Sequence, residues 1–118
     1  MGFLRQCVYG AAIGDAMGVP YEFMPRGSFE CHGMTGYGSH SKPSGTWSDD
    51  TSMILAEIDC WADTGSLRDV MSYFRRWLHD GEYTVDGVFD FGLTTARAID
   101  TGRPQCHRLD SGFGAVSI

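Results

Sequence analysis

Two adjacent carboxylates, Asp49 and Asp50, lie between the hydroxyl residues Ser48 and Thr51. Mg²⁺, Mn²⁺ and Ca²⁺ take oxygen ligands, and these four side chains offer carboxylate and hydroxyl oxygens within one helical turn. The same residue types also cap helices, because serine and aspartate accept hydrogen bonds from the unpaired N–H groups of a first turn. The residues alone therefore leave two interpretations open, a helix cap and part of a divalent-cation site.

Two further acidic residues precede this turn. Asp15 interrupts a stretch of small and apolar residues, where a carboxylate is costly to bury unless it is paired or hydrogen-bonded. It is a candidate both for a capping role and for a site role. Glu22 stands between Tyr21 and Phe23, which makes it a candidate for a partly desolvated acid. The alternative for Glu22 is a solvated side chain whose aromatic neighbours pack elsewhere.

Helical periodicity predicts the elements that must position these residues. Apolar side chains recur at i, i+3, i+4 and i+7 in four segments, which we expect to be helices at residues 2–17, 50–63, 66–79 and 91–101. The third begins with a capping-box-like Ser-Leu-Arg-Asp, and the fourth is expected to be capped by Asp90. No segment alternates like a strand. The predicted fold class is all-α.

The segment between the first two predicted helices, residues 25–45, is rich in glycine, serine and proline. A long irregular segment inside a compact domain is usually functional or mobile. It leads directly into the Ser48–Asp50 turn, so we expect it to form a flap over that site. In the first predicted helix, Gly10, Gly14 and Gly18 recur at every fourth position, which indicates either tight helix packing or close approach of another backbone.

Composition limits the class of protein. The 118 residues fit one domain, residues 1–118, and 42% hydrophobic residues are enough to bury a core. A net charge of −6 without a run of Lys or Arg argues against a nucleic-acid surface. No apolar stretch approaches the ~20 residues of a membrane span, and we expect no signal peptide. The four cysteines show no CxxC spacing, so we read them as reduced and the protein as cytoplasmic.

Three segments together resemble the ADP-ribosylglycohydrolase family, which includes the glycohydrolase that reactivates dinitrogenase reductase. They are Gly-Ala-Ala-Ile-Gly-Asp-Ala-Met-Gly at 10–18 with Glu22 shortly after, Gly-Thr-Trp-Ser-Asp-Asp-Thr-Ser-Met at 45–53, and Gly-Leu-Thr-Thr-Ala-Arg-Ala-Ile at 92–99. Their order and spacing agree with the family as well as their residue types. The resemblance implies an all-α orthogonal helical bundle, of which this chain looks like an N-terminal part.

The resemblance also implies chemistry. The family hydrolyses the N- or O-glycosidic bond that joins ADP-ribose to a protein side chain, at a binuclear Mg²⁺ or Mn²⁺ centre. An ADP-ribosylated protein or an ADP-ribosyl small molecule would then be the partner. The implied metal ligands are Ser48, Asp49 and Asp50. Glu22 would be the family's acidic residue near the metal and the ribose, and would act in catalysis together with Asp49 and Asp50. The implied diphosphate loop falls on Gly112, Phe113, Gly114 and Ala115.

Two departures from the family pattern bear on activity. The family's second ligand segment, Asp-x-Asp-Thr/Ser near the C-terminus of a longer chain, has no counterpart in these 118 residues. Phe113 replaces the usual Asn of the diphosphate loop and so removes a polar group. The chain looks like an N-terminal portion or a shortened relative with half a metal site. The exposed apolar surface of such a half-bundle would favour self-association.

Three hypotheses follow for the function. The first is a metal-dependent ADP-ribosyl hydrolase, with the chain itself not necessarily complete for catalysis. The second is a non-catalytic binding or structural relative that keeps the helical scaffold. The third is a metal-dependent phosphohydrolase acting on a nucleotide diphosphate, which would release a nucleoside monophosphate instead of intact ADP-ribose. The sequence does not distinguish arginine from serine or another residue as the linkage partner.

Overall fold

The computed structural model of the chain describes residues 2–105, and in this range the chain folds into four α-helices. They are α1 (Phe3–Gly18), α2 (Asp49–Thr64), α3 (Val70–Asp80) and α4 (Leu93–Thr101). Two short 3₁₀ helices, Val19–Tyr21 and Gly38–His40, lie between α1 and α2. Within the described range there is no β-strand, and a single isolated bridge pairs Tyr37 with Lys42. The all-α class predicted from the sequence is confirmed.

The predicted boundaries are confirmed for α1 and α2, whereas the predicted starts of α3 and α4 are wrong. The observed ends of α1 and α2 differ from the predicted ones by a single residue each. The expected capping box at residues 66–69 is wrong, because the Ser66 hydroxyl accepts a hydrogen bond from the Arg68 N–H in a turn that precedes α3. The expected Asp90 cap is also wrong. Gly92 is the N-cap of α4, and Asp90 has a left-handed backbone with φ 51°.

The apolar core lies between α2, α3 and α4. Its buried members on α3 and α4 lie on the faces that the helical periodicity indicates, and α3 contributes the two largest fully buried side chains, Phe74 and Trp77. On α2 the predicted face is wrong in part, since Trp61 of the periodic apolar run is 59% exposed whereas Cys60 is buried. Ile99 of α4 and Cys60 of α2 belong to the same buried cluster. Full burial of large apolar side chains of this kind stabilises a fold by about 1.5 to 3 kcal/mol each. These three helices therefore have a shared core of their own.

The helix α1 is packed very differently. Ala16 is its one buried residue, while Phe3 is 82% exposed and Leu4 is 69% exposed. A Cβ atom added at Gly10, Gly14 or Gly18 would meet nothing within 4 Å. No described part of the chain makes the close approach that the glycine spacing suggests. An apolar groove of about 440 Å³ runs between α1 and α2.

The Asp15 carboxylate joins the C-terminal half of α1 to the start of α2. Its Oδ2 accepts hydrogen bonds from the Ser48 N–H at 2.9 Å, the Thr51 N–H at 3.2 Å and the Thr51 hydroxyl at 2.6 Å. Its Oδ1 accepts from the Ser48 hydroxyl at 2.7 Å. The N–H groups at a helix start have no partner within the helix, and an acid near them is favoured by the helix dipole. Asp15 therefore caps α2 from a different helix.

We predict that Asp15→Asn lowers the free energy of unfolding by about 2 to 3 kcal/mol, because an amide keeps one acceptor oxygen and turns a donor toward the donors of Ser48 and Thr51. Urea denaturation followed by circular dichroism measures the change. Asp80→Asn, at the exposed end of α3, is the control and should change the value by less than about 0.5 kcal/mol. Equal stability of the two variants would contradict this role for Asp15.

We also predict that the chain self-associates through the exposed face of α1, because large apolar patches on a protein surface promote association. Sedimentation velocity over a range of concentrations should show a species larger than the monomer. The double variant Phe3→Asp/Leu4→Asp should shift it toward monomer, whereas Leu67→Asp, at another exposed apolar residue, should not. A wild-type chain that stays monomeric at every concentration would refute the prediction.

Candidate functional site

A cavity of about 620 Å³ lies where the C-terminal end of α1, the 3₁₀ turn that follows it and the N-terminus of α2 meet. Its lining includes four carboxylate residues, Asp15, Glu22, Asp49 and Asp50, together with Ser48. The structure thus brings Glu22 to the same cavity as the Ser48–Asp50 turn, although the turn-rich segment separates them in sequence. Two residues of that segment, at positions 29 and 31, form part of the wall.

The structure bears on the two interpretations that the sequence left open for the start of α2. Ser48 is the N-cap residue, and its hydroxyl accepts a hydrogen bond from the Asp50 N–H at 3.3 Å while donating to Asp15. The capping prediction for Ser48 is therefore confirmed. Asp49 and Asp50 are the first two residues of the helix, and both line the cavity. The cap is made by Ser48 and Asp15, which leaves most carboxylate oxygens of Asp49 and Asp50 for another role.

Negative charge is concentrated at this end of α2. Burial, the neighbouring charge of Asp50 and the more distant charge of Asp15 raise the pKa of Asp49 to about 6. Burial and the charge of Asp15 raise the pKa of Asp50 as well. Among the ion pairs formed by residues 2–105, none involves Asp15, Asp49 or Asp50. The repulsion between these carboxylates is thus not relieved by a basic side chain in the described part of the chain.

The donor atoms fit a hard divalent cation. Two carboxylates at neighbouring positions and a hydroxyl oxygen are ligands that Mg²⁺ and Mn²⁺ prefer. The Ser48 hydroxyl donates one hydrogen bond and accepts one, so it keeps a second lone pair that a cation can use. Asp15 is a weaker candidate, since its two oxygens already accept four hydrogen bonds. These residues would supply part of a coordination shell.

Glu22 belongs to a second polar cluster at the edge of the cavity. The His40 Nε2 lies 2.9 Å from the Glu22 Oε2 and 3.5 Å from the Asp90 Oδ2. Burial is the main cause that raises the pKa of Glu22, and the nearby Asp90 acts in the same direction, while the hydrogen bond from His40 lowers it. The three side-chain ligand atoms lie within 4.8 Å of one another. Because the imidazole itself bridges the two carboxylates, we treat the cluster as a hydrogen-bonded group.

Sequence reasoning missed two members of this cluster. His40 is a single histidine in a segment of glycine and serine, and Asp90 was assigned to a helix cap. The available signal was the position of Asp90, two residues before the segment 92–99 that resembles the family. The backbone conformation is a further sign of a functional site, since Phe23, Ser41 and Asp90 all have positive φ values. Non-glycine residues with such values often cluster at functional sites.

The predicted diphosphate loop, Gly112, Phe113, Gly114 and Ala115, lies outside the residues that the structure describes. Its role stays a prediction from the resemblance.

No helix in the described range is long and apolar enough to cross a membrane.

Comparison with known proteins decides the family. The model of the ADP-ribosylglycohydrolase family matches residues 3–116. The chain belongs to this family. The resemblance inferred from the three sequence segments is thereby confirmed. The match extends beyond those segments to nearly the whole chain.

Relatives within the family are named for a particular linkage. Two proteins named ADP-ribosylarginine hydrolase Tri1 are similar to this chain, one from Pseudomonas putida (strain GB-1) with 39% identity over 100 residues and one from Serratia proteamaculans (strain 568) with 38% over 101 residues. Each alignment covers 81% of this chain and 27% of the relative. The chain thus spans about a quarter of the length of the curated relatives it matches.

A solved structure agrees with the fold. A chain of an ADP-ribosylglycohydrolase-related protein complex superposes with a TM-score of 0.65 and 32% sequence identity. The superposition covers 80% of this chain and 30% of the solved one. The four-helix arrangement is therefore a part of the family fold, as the resemblance predicted.

The raised pKa of Asp49 predicts how stability depends on pH. The pKa is about 6 in the folded chain against an ordinary value of 3.8, so the folded state binds the extra proton between these values. The free energy of unfolding should fall as the pH rises through this window. Asp49→Asn removes the charge and should be more stable than wild type by about 1 kcal/mol at pH 8 without metal, after allowing for solvent screening.

Urea denaturation in the presence of a chelator, at pH 4 and at pH 8, measures this difference. The advantage of Asp49→Asn should largely disappear near pH 4, where the wild-type carboxyl is protonated in the folded state and partly protonated in the unfolded state. Asp80→Asn is the control and should show no such pH dependence. An Asp49→Asn variant that is less stable than wild type at pH 8 would show that the carboxylate is favourable where it lies.

Proposed function

We propose that this chain acts in metal-dependent hydrolysis of the glycosidic bond between ADP-ribose and an arginine side chain of a modified protein. The observation that carries the proposal is the convergence of Glu22, Asp49 and Asp50 on one cavity at the N-terminus of α2. The names of the two relatives favour arginine over serine as the linkage partner. Since the chain spans 27% of each relative, its activity and its substrate are both part of the proposal.

The charge of the cavity is consistent with a metal-assisted reaction on a substrate that carries a diphosphate. The ligand ADP-ribose is anionic, and a cavity lined by four carboxylate residues would repel it. Ser48, Asp49 and Asp50 would hold Mg²⁺ or Mn²⁺, which would offset this charge, polarise the ribose hydroxyls and orient a water molecule. The same acidic lining suits the cationic guanidinium group of a modified arginine.

Glu22 is the carboxylate that we assign to proton transfer. It lines the cavity but lies outside the α2 turn, and burial raises its pKa toward the working pH, which suits a general base. In this role it accepts the proton of the attacking water. Negative side chains around the ribose also stabilise the positive charge that develops in an oxocarbenium-like transition state. Asp49 and Asp50 contribute to that stabilisation by their position in the same cavity.

Two other assignments accompany the proposal. An ADP-ribosyl small molecule is the alternative substrate, because the residues that line the cavity do not themselves require a protein substrate.

We place the chain in the cytoplasm, since Cys7, Cys31 and Cys60 are free thiols in the structure, which is typical of a reducing compartment.

A non-catalytic binding relative is the second candidate function. It is favoured by Phe113, which replaces the usual Asn of the diphosphate loop and so removes a polar group. In that case the chain would bind ADP-ribose without releasing it from a side chain.

Release of free ADP-ribose tests the proposal. The purified chain should release it from ADP-ribosylated arginine in the presence of Mg²⁺ or Mn²⁺, and a chelator should abolish the release. The double variant Asp49→Asn/Asp50→Asn should lose activity by roughly 100-fold or more, because it removes the charged ligands. Asp80→Asn is the matched control and should retain the wild-type rate. An ADP-ribosylated serine substrate tests the linkage, and a nucleoside monophosphate product would indicate a phosphohydrolase instead.

Absence of release from a folded wild-type chain would reject the hydrolase proposal for this chain. Binding of ADP-ribose by that inactive chain, measured by calorimetry, would then support the non-catalytic relative. Release that is unchanged in Asp49→Asn/Asp50→Asn would reject the assigned cation site.

A further inference from the structure

The turn that carries His40 is fixed against the segment that carries Glu22. A Cβ atom added at Gly38 would lie 2.1 Å from the Pro20 carbonyl oxygen, so no other residue fits there without movement of the backbone. The Ser39 hydroxyl donates to the Pro20 carbonyl oxygen at 3.2 Å and also to the Glu22 carbonyl oxygen. These contacts set His40 beside Glu22 through the backbone, before either side chain contributes.

The imidazole ring of His40 is held in one orientation. Its side chain is 11% exposed, and it packs between Phe23, with ring centroids 5.8 Å apart, and Phe89, with centroids 5.0 Å apart. Aromatic neighbours at these distances restrict the rotation of a ring. The Nε2 atom is thereby directed at Glu22, and the ring cannot turn away without losing both contacts.

The ring links two segments that are far apart in sequence. Its Nε2 contacts the Glu22 carboxylate at 2.9 Å and the Asp90 carboxylate at 3.5 Å. Phe89, which packs against the His40 ring, also contacts a charged group, since the Lys42 Nζ lies 5.0 Å from its centroid and pairs with Asp86. The two carboxylates also lie close to each other and would repel when both are charged, so an imidazole in contact with both stabilises this arrangement.

We propose that His40 is the positioning residue of the cavity, and that its imidazole holds the Glu22 carboxylate in place for proton transfer and ties it to Asp90. The proposal rests on the proposed function for the role of Glu22. His40 does not line the cavity, so it acts through Glu22 and is not itself a catalytic residue. This positioning role also explains why His40, a single histidine in a glycine- and serine-rich segment, is largely buried.

A second histidine–glutamate pair in the same segment provides a matched control. The His32 Nε2 lies 3.0 Å from the Glu30 Oε2, but both side chains are 82% exposed and neither lines the cavity. A replacement at His32 therefore removes an equivalent contact with no effect on Glu22. Any general effect of losing a histidine from this segment should appear in both variants.

The test compares His40→Phe, His40→Gln and His32→Phe. Phenylalanine keeps an aromatic ring between Phe23 and Phe89 but removes the hydrogen bond, whereas glutamine keeps an N–H donor. Carbon-13 NMR of the side-chain carboxyl groups, with the Glu22 signal assigned through Glu22→Gln, follows the titration of Glu22. Because the hydrogen bond from His40 lowers the pKa of Glu22, we expect an upward shift in His40→Phe. We expect a return toward wild type in His40→Gln and no change in His32→Phe.

Kinetics of ADP-ribose release supply the second measurement. A displaced base should lower kcat by roughly 10- to 100-fold in His40→Phe, with KM nearly unchanged. His40→Gln should recover part of kcat, and His32→Phe should match wild type. A merely structural role would instead lower the melting temperature of both His40 variants and affect KM and kcat together.

The two proposals fail in distinguishable ways. A Glu22 titration in His40→Phe that matches the wild type overturns the role of His40, whatever the activity. A wild-type chain that releases no ADP-ribose rejects the proposed function, while the NMR titration still decides whether His40 controls Glu22. A rise in KM without a fall in kcat would also overturn positioning for proton transfer.

Discussion

The hydrogen bonds of the Asp15 carboxylate to Ser48 and Thr51 are the contact on which the rest of the site depends. They attach the end of α1 to the start of α2, and Glu22 follows α1 after a single 3₁₀ turn. This carboxylate therefore brings the end of α1, and the turn that leads to Glu22, beside the Asp49–Asp50 pair. A cap made within α2 alone would satisfy the helix but would not join its start to the end of α1.

The same arrangement has an electrostatic cost. Capping by Asp15 places a third carboxylate near Asp49 and Asp50, and its charge contributes to the raised pKa of both. A helix N-terminus partly offsets this repulsion, since its dipole favours negative charge. Sites that lower the stability of the free protein are often those that a ligand stabilises. A divalent cation is a ligand whose positive charge would offset the charge of these three carboxylates. The cost in stability and the proposed function therefore have one origin.

How much could be read from the sequence depended on the range of the interactions. Ser48 as the cap of α2 was predictable because a cap is made with residues two or three positions away. The partner of Asp15 was not, because its donors lie more than thirty residues further along the chain. The bridge from His40 to Glu22 and Asp90 depends on two loops and on left-handed backbone at Asp90, which no periodicity signals. The three resembling segments predicted the family because their order and spacing agree with it as well as their residue types.

The structure also separates stability from function in the chain. The helices α2, α3 and α4 share an apolar core, whereas α1 buries one residue and is held at its C-terminal end by polar contacts. Elements with few buried apolar contacts open at a lower free energy than the core. Opening of α1 would separate Asp15 from Ser48 and move Glu22 away from the Asp49–Asp50 pair while the core stays folded. A cation at the start of α2 would favour the docked position of α1, because it would offset the repulsion between Asp15 and the Asp49–Asp50 pair that docking brings about. Formation of the site and docking of α1 are therefore coupled.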